Sequence, residues 1–138
     1  MKDRELVRVR DVMKRHFDMV DGLTTVAEAL KTMKKEGTKT LIVNKRHEND
    51  EYGIVLLSDI AKEVLARDKS PSRVNVYEVM SKPVVSIDPN MDIRYCARLF
   101  DRFGLSRAPV IEDGRIIGIV SYTDMVLDGM FRENDAPN

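Results

Sequence analysis

Gly53-Ile54-Val55-Leu56-Leu57-Ser58-Asp59 and Gly118-Ile119-Val120-Ser121-Tyr122-Thr123-Asp124 are one pattern written twice, 65 residues apart. Each runs from a glycine through an apolar strand-like stretch into a hydroxyl and a carboxylate, the residue types that start helices. Upstream the repetition continues at an offset of 67. Asp11-Val12-Met13 aligns with Glu78-Val79-Met80, Ala29, Met33 and Gly37 with Cys96, Phe100 and Gly104, and Leu41-Ile42-Val43 with Ala108-Pro109-Val110. The two-residue slip falls in a polar loop, where an insertion costs little. A repeat of this kind makes the chain two copies of one supersecondary unit.

Each copy reads as βαββα, an α/β (α+β) unit. A short strand is expected at 17–20 and again at 84–87. An amphipathic helix follows, with Val26, Ala29, Leu30 and Met33 in one copy and Ile93, Cys96, Ala97 and Phe100 in the other. That spacing is the stripe of a helix with one buried face. Thr25 and Glu28 suit a capping box, and Gly37 and Gly104 stand where the helices should stop. Paired strands are expected at 40–44 with 52–56 and at 108–111 with 116–120. The second pair turns through Asp113-Gly114, a tight-turn signal, and the first through a longer polar loop containing His47 and Asn49. A last helix closes each copy, with Ile60, Ala61, Val64 and Leu65 facing inward in the first. Residues 66–75, with Lys69-Ser70-Pro71-Ser72, read as the linker, and the tail after Phe131 as frayed. One unit of about 60 residues buries little surface alone. Two copies packed sheet to sheet about a rough two-fold axis are expected to share a core, with a cleft beside each.

The 138 residues are 43% hydrophobic and carry 23 Lys plus Arg against 23 Asp plus Glu. Zero net charge argues against a nucleic acid partner, which normally requires a basic excess. The basic cluster Lys2, Arg4, Arg8, Arg10, Lys14 and Arg15 is broken by Asp3, Glu5 and Asp11 and reads as a solvated terminus. Cys96, the single cysteine, excludes an internal disulfide and lies on an apolar stripe, where it should be buried. No apolar run reaches the roughly 20 residues that span a bilayer, and MKDRELVRVR is no signal peptide. A soluble, cytoplasmic protein without a membrane partner is expected. His16 and His47 show no metal-ligand spacing. Phosphate-loop, dinucleotide-binding and Gly-x-Ser-x-Gly motifs are absent. No catalytic residue, metal or cofactor is therefore expected.

The segment Gly118 to Asp124 resembles the nucleotide-contacting motif of the CBS family. Met80-Ser-Lys-Pro-Val-Val-Ser-Ile-Asp-Pro89 is similar to that family's opening strand, and Gly104-Leu-Ser-Arg107-Ala-Pro-Val-Ile111 to the approach to its second strand. The resemblance implies one repeat over 9–67, a linker over 68–75 and a second repeat over 76–130, together forming a stand-alone tandem (Bateman) module. It further implies a regulatory ligand containing adenosine, such as AMP, ADP or ATP, with Asp124 and Asp59 accepting from ribose hydroxyls and Ser121 holding phosphate or ribose. The positions before the second strand, Ser106 with Arg107 and Lys39 with Thr40, would meet phosphate. Met19, Val20, Leu41 and Ile42 would wall one cleft, and Ser86, Ile87, Ala108 and Pro109 the other. CBS modules also commonly pair through helices, so a homodimer is expected, with Leu30, Met33, Leu99, Phe103 and Met125 exposed at its face. The output would pass to a separate effector protein.

The residues alone leave alternatives. Ser58, Ser121 and Thr123 suit N-caps, and Asp59 and Asp124 suit first-turn carboxylates, roles compatible with ligand contact. An interaction protein with decayed clefts and a small-molecule enzyme are the other readings of the whole chain. Where the second motif has Ser121 the first has Leu56, which cannot hydrogen-bond. The Asp59 cleft is therefore expected to be the weaker one.

Overall fold

The computed structural model describes residues 6–130; Lys2, Arg4 and the tail after Phe131 lie outside the described residues. In chain order the elements are α1 (Val9–Val12), β1 (Met19–Val20), α2 (Val26–Glu36), β2 (Thr40–Val43), β3 (Gly53–Leu56), α3 (Leu57–Ile60), α4 (Ile93–Phe103), β4 (Arg107–Glu112) and β5 (Arg115–Ser121). A π-helical stretch, Ala61–Leu65, continues α3, and another, Asp124–Met130, follows β5. The fold is mixed α/β, and the chain divides into two compact units.

One unit comprises residues 17–84. Its sheet has the order β1-β2-β3, with β1 parallel to β2 (Met19 opposite Ile42) and β3 antiparallel (Thr40 opposite Leu56). Leu41, Ile42 and Val43 are all buried, as expected of a strand covered on both faces. Val26, Ala29 and Met33 of α2 pack with Leu41, Val43, Val55, Ile60 and Val64. The helix begins as its sequence prescribes: Thr25 Oγ1 accepts from the Glu28 amide at 3.1 Å, and Glu28 reaches back to Thr25. It ends at Gly37 in the left-handed conformation, φ 66°.

The other unit joins residues up to 16 with those from 85 onward. The β4–β5 hairpin is antiparallel, and its turn places Asp113 (φ 52°) and Gly114 (φ 77°) in the left-handed region that such turns need. Ile93, Cys96 and Phe100 of α4 are buried with Val7, Val9, Val12, Ile87, Val110, Val120 and Met125. Burial pushes the Cys96 thiol up to about 11, which keeps it protonated and inert.

The repeats and the compact units are offset from each other. Each unit takes its leading segment from the repeat that lies elsewhere in the sequence. Lys14 bridges antiparallel to Ile119 through two backbone hydrogen bonds of 2.9 Å, and Ser81 bridges to Ile54 in the equivalent way. The motif glycines make this possible. A Cβ on Gly118 would stand 2.6 Å from the Lys14 carbonyl oxygen, and one on Gly53 2.7 Å from Met80 Sδ. Their role is close backbone approach.

Several expectations are corrected. Among the described residues the basic N-terminal segment is not a free terminus, because Val7, Val9 and Val12 anchor it in a core. Two of its described cations are engaged as well: Arg10 pairs with Glu112 at 2.8 Å, and Arg8 donates to the Asn90 carbonyl. The first strand is confined to Met19–Val20, and its counterpart shrinks to a single parallel bridge from Ile87 to Val110. Pro83 and Pro89 flank that counterpart, and neither can donate to a ladder. The linker is partly structured, with a 3₁₀ turn at Pro71–Arg73 and Val74 buried. In the first closing helix Ile60 and Val64 face inward, but Ala61 is exposed and Leu65 is 78% exposed. The wider turn, in which the Ala66 amide reaches the Ala61 carbonyl, shifts the inward positions off the α-helical stripe. Met33 and Met125 are core residues, not part of an exposed face.

Candidate functional site

The β4–β5 register sets Arg107 opposite Ser121, and the Tyr122 amide donates to the Ser106 carbonyl at 3.1 Å. Ser106, Arg107, Ser121 and Asp124 are thereby gathered at one end of one hairpin. The other unit repeats the arrangement. Thr40 stands opposite Leu56, and the Leu57 amide donates to the Lys39 carbonyl at 3.0 Å. Lys39, Leu56 and Asp59 share that end.

The two carboxylates differ in setting. Asp124 is buried, 5% exposed. Its Oδ2 accepts from the Ser121 amide at 3.0 Å and from Ser121 Oγ at 2.9 Å, and the Ser121 hydroxyl in turn accepts from the Asp124 amide at 3.2 Å. This is a reciprocal capping box, so the capping role is met. It occupies one carboxylate oxygen. The other, Oδ1, lies 3.4 Å from Lys14 Nζ. Lys14 also reaches Asp128 at 3.2 Å, and its ammonium is held above the ordinary lysine range first by that hydrogen bond and then by the Asp124 charge. Asp59 is half-buried and accepts from the Leu56 amide at 2.8 Å. The Leu56 side chain has no hydroxyl to complete the box.

The expected adenine walls separate into two groups. Leu41, Ile87 and Ala108 lie in the cores, and Ile42 and Pro109 are buried. Met19, 40% exposed, and Ser86 present accessible side chains, with Val20 half-buried. Of the cationic candidates, Lys39 is exposed and Arg107 half-buried.

Two features escape the sequence. One is Lys14, whose only sequence signal was its place after the aligned Met13. The other is an open cavity of about 800 Å³ in the unit of residues 17–84, lined by Gly22, Val43, Lys45, Tyr77, Met80 and Lys82 among others. It lies at the far end of β2 from Lys39 and contains none of the expected ligand residues. Beside it Asp50 joins Arg46 (3.0 Å) and Lys82 (2.8 Å), and those cations hold its carboxyl well below the usual range. Among the described residues no helix is long and apolar enough to cross a membrane.

Comparison with known proteins places the fold in a family. A family model described as "CBS domain" matches residues 9–66 and 76–127. An uncharacterised protein of Methanopyrus kandleri is 30% identical over 122 residues, or 87% of this chain, and the chain spans 61% of that relative's length. A hexameric CBS-CP12 protein from bloom-forming cyanobacteria superposes with a TM-score of 0.89 at 37% identity, covering 96% of this chain and 76% of that one. A CBS domain pair solved with 5′-methylthioadenosine and S-adenosyl-L-methionine has the same fold, with a TM-score of 0.76 at 24% identity over 88% of this chain and 94% of that one.

Proposed function

This chain belongs to the CBS-domain family, carrying the domain twice in tandem, and we propose that it is a regulatory module binding an adenine nucleotide of the AMP, ADP or ATP type. The observation that carries this reading is the grouping of Ser121, Asp124 and Arg107 at one end of the β4–β5 hairpin. A carboxylate accepts from a vicinal diol, a hydroxyl and a guanidinium serve phosphate, and all three stand together. A related CBS pair, solved with two adenosine compounds, supports the class of ligand. The module works by differential affinity: nucleotide favours the conformation that binds it best, and a separate effector protein reads the change. It performs no turnover.

Thermal unfolding against adenosine, AMP, ADP, ATP and S-adenosylmethionine tests the reading. Nucleotide at roughly a hundred times its dissociation constant should add about 2.7 kcal/mol. Arg107→Ala should weaken AMP about tenfold while leaving adenosine nearly unchanged, since charged hydrogen bonds contribute roughly 1.5–3 kcal/mol. No stabilisation by any adenosine compound would refute the function. Equal losses for AMP and adenosine would remove Arg107 from the phosphate.

The same reading includes a homodimer. The face is redrawn from the one the sequence suggested: Tyr95 and Phe103 of α4 are 61% and 58% exposed, and Leu127 and Met130 of the closing helix 57% and 51%. Apolar side chains concentrated on neighbouring helices mark interfaces. Sedimentation should report twice the 15.8 kDa chain mass at micromolar concentration. A single species at the chain mass would refute the dimer.

A further inference from the structure

Within the unit that holds Asp124, one acceptor oxygen is committed to the helix cap and the other faces a lysine. Oδ2 takes both Ser121 donors, so ribose hydroxyls must approach Oδ1, whose neighbour is Lys14 Nζ at 3.4 Å. Lys14 is fixed there by the main chain, because its amide and carbonyl both bond to Ile119. Its side chain is 65% exposed and can swing between Asp124, Asp128 and a bound molecule. The equivalent residue in the other unit, which bridges Ile54 as Lys14 bridges Ile119, is the uncharged Ser81.

We propose that Lys14 sets the charge preference of the Asp124 site, favouring anionic adenosine ligands over neutral and cationic ones. This rests on the adenosine-binding reading above. In the free protein the ammonium compensates a buried carboxylate, which would otherwise be costly. When ribose hydroxyls donate to Oδ1, Asp124 is satisfied by the ligand, and the ammonium becomes available to a phosphate attached to the same sugar. A cationic substituent would meet it with repulsion. Asp128 competes for the same ammonium at 3.2 Å, so it weakens the preference. The Asp59 site has a serine at this position and lacks the device.

Calorimetry with three ligands of different charge tests this: AMP (anionic), 5′-methylthioadenosine (neutral) and S-adenosylmethionine (net cationic). Lys14→Ser, which imports the residue of the other unit, should weaken AMP about three- to fivefold, leave methylthioadenosine within twofold and strengthen S-adenosylmethionine, magnitudes typical of an exposed charge. Lys14→Arg should restore the wild-type order. Asp128→Asn, on an exposed position, should act in the opposite sense and tighten AMP about twofold. The AMP effects should shrink as salt rises. If Lys14→Ser changes all three ligands equally, or Asp128→Asn changes none, the charge preference is refuted while adenosine binding stands. If the wild type binds none of the three, both readings fall.

Discussion

Asp124→Ala will abolish the tighter of two nucleotide-binding events, and Asp59→Ala will leave that event within about twofold. Both residues stand in the first turn of a helix that follows a Gly-Ile-Val strand, yet their surroundings differ. Asp124 is buried, oriented by two bonds from Ser121, and leaves Oδ1 facing Lys14. Asp59 is half-buried, held by the Leu56 amide, and stands beside a side chain that offers only carbon. Losing the partner of a charged group costs on the order of 1–3 kcal/mol, roughly five- to a hundredfold in affinity. Preorganisation adds to the difference, because a carboxylate already locked in position loses less freedom on binding. Removing Asp124 also removes a helix cap, worth about 0.5–2 kcal/mol of stability. Asp124→Asn, which keeps an acceptor for the Ser121 amide, separates the two effects: it should melt close to wild type and still lose the tight event. Loss of the tight event in Asp59→Ala, with Asp124→Ala unaffected, would reverse the assignment.

Phe100→Ala will destabilise the unit that carries Asp124 by about 3–5 kcal/mol, the usual cost of emptying a buried phenylalanine site. Phe100 is fully buried, closes the α4 stripe after Ile93 and Cys96, and belongs to the same core cluster as the hairpin residues Val110 and Val120. Its ring also meets Tyr122 edge-on, with centroids 5.3 Å apart and planes at 71°, an arrangement that adds about 0.5–1.5 kcal/mol to area burial. Tyr122 directly follows Ser121, so the core supports the binding motif. The melting temperature should fall by more than about 10 °C. Asp101→Ala, at an exposed position of the same helix, should cost under about 1 kcal/mol. A Phe100→Ala protein that melts within a few degrees of wild type would mean that the cavity collapses without loss.

The two motifs and the core share a cause in the duplicated sequence, but they were legible to different degrees. The helices α2 and α4 could be read residue by residue, because stripe, cap and stop are local. Thr25 with Glu28, Gly37, Gly104 and Asp113-Gly114 act within a few positions of themselves, and they do so as their chemistry demands. The burial of Cys96 followed from the same periodicity. The contrast between Ser121 and Leu56 was also visible in the aligned motifs.

What the chain alone concealed depends on partners far apart in sequence. The 3.6-residue stripe placed Leu65 inside, and an i-to-i+5 turn put it in solvent. The charges at the N-terminus suggested a solvated arm, but Val7, Val9 and Val12 found a core supplied by the second repeat. Gly118 read as part of a ligand motif, and its backbone turned out to be the seat of the Lys14 carbonyl. Lys14 and Asp128 are 114 residues apart, and no local pattern records such a pair. Sequence by itself determined the repeat, its helices and turns, and the carboxylate that each motif carries, since those arise from propensities and spacings within one turn or one strand. Tertiary structure decided which leading segment docks on which hairpin and which cation faces Asp124, because those choices rest on shape and charge between segments that meet only once the chain has folded.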